Sequence, residues 1–89
     1  MLDTGNLYAN VTDEQSSPLP GVTVTLTGVG ASQYQVTDQE GRTMFLGLPP
    51  GKYSAAAQLE GFTTVKQPNV NIDPDRNTFI ETTLISTVE

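Results

Sequence analysis

The sequence predicts an all-β domain, a sandwich or barrel of seven short strands, and three observations carry that prediction. Apolar and polar residues alternate with the two-residue period of a strand that buries one face, most strictly along Val22-Thr23-Val24-Thr25-Leu26-Thr27. Turn signals recur about every ten residues, the spacing of a sandwich or barrel rather than of strand-helix units. Thirteen threonines favour the extended chain, because a branched β-carbon restricts χ1 and packs well on a pleated surface.

The elements follow in chain order. Leu7, Ala9 and Val11 alternate along a first strand at residues 6–12, which Pro18-Leu19-Pro20-Gly21 separates from the second at 22–28. Gly28-Val29-Gly30 turns the chain into a third strand at 33–37, with Tyr34 and Val36 on its apolar face. In Asp38-Gln39-Glu40-Gly41 the carboxylate can accept backbone N–H bonds while Gly41 takes a positive φ, so a tight hairpin to the Phe45 strand at 42–47 is expected. Two prolines in Leu48-Pro49-Pro50-Gly51 fix φ and remove donors, which ends that strand and re-aims the chain, with Leu48 and Tyr53 as core anchors. Ser54-Ala55-Ala56-Ala57-Gln58-Leu59-Glu60 has helix-forming residues, but it is short and bounded by Gly51 and Gly61. It therefore belongs to a strand at 52–59 whose small side chains lie under bulky neighbours. A strand at 63–72 carries Val70 and Ile72, Asp73-Pro74-Asp75 turns, and a last strand covers 77–86. The inward set is Val22, Val24, Leu26, Val36, Phe45, Tyr53, Ala55, Ala57 and Leu84, with Tyr34 also assigned to the core.

Composition bounds the function. Eighty-nine residues make a single domain with a core over about 7–86, and the abrupt start at Met1-Leu2-Asp3-Thr4-Gly5 suggests a domain excised from a larger protein. The chain has no cysteine, histidine or tryptophan, which removes disulfides, zinc sites with nitrogen or sulfur ligands and every imidazole- or thiol-based catalyst. Ten acidic against four basic residues give a net charge of −6, the wrong sign for nucleic acid or an anionic membrane. No apolar run approaches the roughly 20 residues of a membrane span, and no signal peptide stands at the start.

The turns, taken in order, resemble the carboxypeptidase regulatory-like domains, over Leu7 to about Leu84. The carriers are Val11-Thr12-Asp13, Pro18-Leu19-Pro20-Gly21-Val22-Thr23-Val24, Thr37-Asp38-Gln39-Glu40-Gly41 with Phe45, Leu48-Pro49-Pro50-Gly51-Lys52-Tyr53, and Gly61-Phe62. Ala9 stands where the family usually has glycine, and Thr43 replaces a large apolar residue, which implies a locally thinner core. The resemblance implies a transthyretin (prealbumin)-like, seven-stranded Greek-key sandwich. It also implies a non-catalytic accessory domain of a larger exported or cell-envelope bacterial protein, outside the cytoplasm, contacting neighbouring domains or a protein partner as a spacer or interaction module. Carbohydrate or peptide binding is the alternative, and a surface-adhesin stalk the third reading.

Each chemical motif has an ordinary competitor. Asp73-x-Asp75-x-Asn77 opens like a calcium loop but places Thr78 at position 6 and Leu84 at position 12, so it fails the glycine and glutamate requirements. Carboxylates at Asp13, Glu14, Asp38 and Glu40 could hold a divalent ion only if they converge. An isopeptide crosslink needs a lysine on the first strand, whereas the two lysines are Lys52 and Lys66, which are expected at solvated strand edges. The sequon Asn10-Val11-Thr12 falls within the first strand. No catalytic, metal or cofactor residue is assigned and no cofactor is expected. Sugar binding requires exposed aromatics, and strand parity leaves Tyr8 facing outward with Phe79 in a segment of open register; these two are the candidate ligand contacts.

Overall fold

The computed structural model describes residues 3–87; the outermost residues of the expected 1–89 domain lie outside them. Seven strands form two facing sheets: β1 (Gly5–Thr12), β2 (Thr23–Thr27), β3 (Gln33–Val36), β4 (Arg42–Leu48), β5 (Gly51–Gln58), β6 (Val65–Ile72) and β7 (Asn77–Thr83). One sheet has the order β4-β1-β7 and the other β3-β2-β5-β6. The hairpins β2–β3 and β5–β6 stay within the larger sheet, and the other four connections cross between sheets, giving the expected Greek-key sandwich. β6 begins two residues later than the sequence suggests, and β7 stops at Thr83 although Leu84 is still fully buried.

Alternation fixes the core. Leu7, Ala9, Val11, Phe45, Leu48 and Ile80 face inward from one sheet, and Val24, Leu26, Tyr53, Ala55, Ala57, Val70 and Ile72 from the other. The core combines the small Ala9, Ala55 and Ala57 with the bulky Phe45 and Tyr53. Thr43 is buried, facing inward from β4. The Ser54–Glu60 segment is strand β5 up to Gln58, with Leu59 half-buried beyond it.

Three expectations are corrected. Tyr34 and Val36 are exposed, because β3 pairs Val36 with Thr23 and Tyr34 with Thr25, the outward-facing threonines of β2. Thr37 sets that phase: its buried hydroxyl donates to the Leu19 carbonyl and accepts from Val22 N–H, so Thr37, not its neighbour, faces inward. A shift of one residue moves the whole strand's side chains to the other face. The Asp38 turn closes as expected, with Gly41 at φ 73°, but it does not join paired strands. β3 pairs with β2 and β4 with β1, so the turn is a corner between sheets. Lys52, finally, belongs to an inner strand, β5, rather than an edge strand; it pairs with Asn71 of β6 two residues before the pairing with β2 begins at Ser54, and its side chain is exposed.

β1 is the central strand of the smaller sheet and pairs in two directions. It runs antiparallel to β4 and parallel to β7, the latter in unbroken register from Asn6–Asn77 to Thr12–Thr83. A bulge interrupts the β1–β4 register between Gly5 and Leu7; Gly47 sits opposite at φ 69° and donates its N–H to Asn6 Oδ1.

Candidate functional site

The outer face of the β4-β1-β7 sheet holds the candidate site. Outward residues of β1 meet their register partners in rows. Asn6 donates from its amide to Asn77 Oδ1 at 3.0 Å. The next row is Met44, Tyr8 and Phe79, and beyond it Arg42, Asn10 and Glu81 share a row. Thr12 and Thr83 hydroxyls close the face at 3.5 Å. An apolar row thus lies between polar ones.

Tyr8 and Phe79, the two aromatics singled out from the sequence, are brought together. Their ring centroids are 5.1 Å apart with planes 18° from parallel, a stack between adjacent strands. Each ring covers one face of the other. Tyr8, in the middle of the row, is half-buried, whereas Phe79 on the edge strand is 71% exposed. Met44 and Leu46, both exposed on β4, extend the apolar surface. The alternation around Phe45 already turns them outward; what the sequence does not give is the β1–β4 register that sets Met44 beside Tyr8.

Beside the stack is a shallow depression of about 430 Å³, lined by Tyr8, Met44, Asn10, Arg42, Asp38 and Glu40 among others. Arg42 meets Glu40 at 3.5 Å, and both side chains are largely exposed, so the pair contributes little. Asp38 is committed to its own turn: Oδ1 accepts the N–H groups of Glu40 at 2.8 Å and Arg42 at 3.0 Å. Those bonds, that from Arg42 first, hold its carboxyl below the usual carboxylate range. Asp13 repeats the device, accepting from Gln15 and Ser17. Of the carboxylates considered as ion ligands, Asp13 and Asp38 thus organise local turns, Glu14 accepts from the distant Ser86 N–H at 3.3 Å and Glu40 faces Arg42, and among the described residues no three acidic side chains gather. Lys52 and Lys66 are both exposed, and the Asp73-Pro74-Asp75 turn is exposed with Asp75 at φ 58°. Such a face can stack, pack and hydrogen-bond; its side chains include no imidazole or thiol, since the chain contains neither.

Solved structures of similar architecture are found in unrelated contexts. The chain is similar to part of the TIE protein of Bacillus anthracis (TM-score 0.80, 18% identity, 94% of this chain and 17% of that one). It is also similar to a minor pilin of Streptococcus agalactiae (TM-score 0.76, 16% identity, 100% of this chain and 47% of the pilin). It spans less than half the length of either. A third similar structure is an enzyme, the 5-hydroxyisourate hydrolase of Klebsiella pneumoniae (TM-score 0.68, 21% identity, 93% of this chain and 92% of the hydrolase). At such identities the likeness establishes the fold alone: a transthyretin-like and pilin-like sandwich. No curated protein matches the chain in sequence. The family model for the carboxypeptidase regulatory-like domain, by contrast, matches residues 6–85, and with that span, this strand order and the turns that carry the resemblance, the chain belongs to the carboxypeptidase regulatory-like domain family.

Proposed function

We propose that the chain is a non-catalytic accessory module of a larger exported or cell-envelope bacterial protein, built as an in-line spacer that contacts neighbouring domains. One observation carries this reading: the first and last strands lie side by side and run parallel. The polypeptide therefore comes in at one end of the sandwich and leaves at the other. The register from Asn6–Asn77 to Thr12–Thr83 sets these ends about 20 Å apart along the strand direction, at the usual rise per residue. Family membership and the presence of a similar domain inside a longer minor pilin support it. Open edges at β3, β4, β6 and β7 offer unpaired backbone groups for contact with a neighbouring domain.

Dyes attached to Thr4→Cys and Thr87→Cys should report a separation about 20 Å longer than dyes on Thr4→Cys and Arg76→Cys. Equal separations would refute the in-line geometry. In the full-length parent, exchange of residues 7–84 for a flexible linker should impair assembly or protease resistance, and an unaltered parent would remove the spacer role.

The Tyr8–Phe79 stack supports a second reading, glycan or peptide binding on the smaller sheet. The exposed Phe79 ring and the amide, carboxylate and guanidinium groups beside the depression are the chemistry a neutral sugar would need. Saturable binding of one oligosaccharide by calorimetry, abolished in Tyr8→Ala, would put this reading first.

A further inference from the structure

The geometry points to a mechanical function: the β1–β7 ladder is a shear clamp that carries tensile load between the domain's two ends. This rests on the in-line reading and goes beyond it, since a spacer need not resist force. When the two ends of the chain are drawn apart, β1 is pulled toward its start and β7 toward its end. Because the strands are parallel, they are forced to slide past each other. Every bond between them is loaded at once, whereas strands pulled apart from one end break one bond at a time. Parallel ladder bonds are evenly spaced and slanted, so they share such a load.

The ladder is longer than its seven register pairs. Asp75 N–H donates to Thr4 O at 2.8 Å and Asn6 N–H to Arg76 O at 2.9 Å where the chain comes in, and Leu84 N–H donates to Thr12 O at 2.9 Å where it leaves. Side chains pair across the same two strands in three of the four outward rows: the Asn6–Asn77 amides, the Tyr8–Phe79 stack and the Thr12–Thr83 hydroxyls. On the inner face Leu7, Ala9, Val11, Ile80 and Thr82 are buried, so sliding would also drag the core out of register. The outgoing segment is tied separately, by Thr63 N–H to Ile85 O and by Thr87 N–H to Gly61 O. The aromatic stack thus has a place in the fold that requires no ligand.

Single-molecule force spectroscopy tests the clamp, and the absence of cysteine lets handles be placed at will. The domain is pulled between its ends and, as the Arg76→Cys variant, between its N-terminal end and residue 76, which opens the same ladder from one end. Rupture between the ends should need several-fold more force at equal pulling speed; an equal or smaller force overturns the clamp. Phe79→Ala should lower the end-to-end force, whereas Tyr34→Ala, which removes an equally exposed aromatic from the other sheet, should leave it unchanged. Equal effects from both variants would likewise overturn it. The dye separations judge the in-line reading independently, so a failed clamp with separated ends would leave the spacer standing.

Discussion

Replacing Gly41 by alanine puts the corner between the sheets under test. Gly41 has φ 73°, and a β-carbon there would lie 2.4 Å from the Val11 carbonyl oxygen and 3.0 Å from Leu19 N. The left-handed conformation alone costs a non-glycine residue roughly 1–2 kcal/mol. The contact is with backbone, so relief requires moving β4 away from β1, and that weakens the 2.7 Å bond from Val11 N–H to Gly41 O. A buried bond lost with its donor unsatisfied adds about 1–3 kcal/mol. The sum is about 2–5 kcal/mol, a large part of the roughly 5–15 kcal/mol of a small domain. Gly47→Ala is the internal control, because Gly47 has φ 69° with nothing within 4 Å of the added carbon, so only the conformational cost applies. Urea unfolding followed by far-ultraviolet circular dichroism should give a midpoint for Gly41→Ala well below that of Gly47→Ala. Equal midpoints would refute the claim that close approach, rather than φ, makes glycine obligatory at position 41.

Leu26→Ala, at a position 1% exposed, should cost about 2–5 kcal/mol, while Tyr34→Ala should cost under about 0.5 kcal/mol; comparable losses would mean the β2–β3 register is wrong. The Asp38 carboxyl is held below its ordinary value, so its stabilising effect is present above the unfolded value of about 3.9 and disappears as pH falls through the folded one. Wild type and Asp38→Ala should therefore differ in melting temperature at neutral pH and converge in acid, and a difference that persists below both values would contradict this. Burial pushes the Tyr53 phenol up, and its hydroxyl donates to Pro49 O at 2.6 Å. Its contribution thus holds below about pH 10 and is lost as pH rises through the folded value; Tyr53→Phe should cost about 0.5–1.5 kcal/mol and flatten that alkaline loss, and an unchanged alkaline limb would exclude Tyr53 as its source.

Local chemistry made most of the fold legible. Alternation placed Val24, Leu26, Phe45 and Tyr53 inward, and the Asp38 and Gly41 pattern located a turn with the required positive φ. Misreading came where phase or pairing depends on distant residues. Tyr34 and Val36 look like core residues in isolation, but their face is decided by Thr37, whose hydroxyl is bound to Leu19 and Val22. The Asp38 turn has the composition of a hairpin, yet it contains nothing that says which sheet the following strand will join. In the structure, the bond from Val11 N–H to Gly41 O and the register that follows it from Asn10–Arg42 commit β4 to β1.

The same distinction governs the site. Strand parity was enough to place Tyr8 outward, and no local pattern could place Phe79, since its register partner is 71 positions away in the chain. Once β1 and β7 pair in parallel, three separate residue choices acquire one explanation. Asparagine at 6 and 77, an aromatic ring at 8 and 79, and threonine at 12 and 83 are like-with-like partners across one ladder. A surface evolved only to stack a sugar would need the rings and their polar surround, but not matched partners above and below them. The matching therefore favours a ladder held along its whole length, in which the exposed ring of Phe79 belongs to the join between the chain's first and last strands.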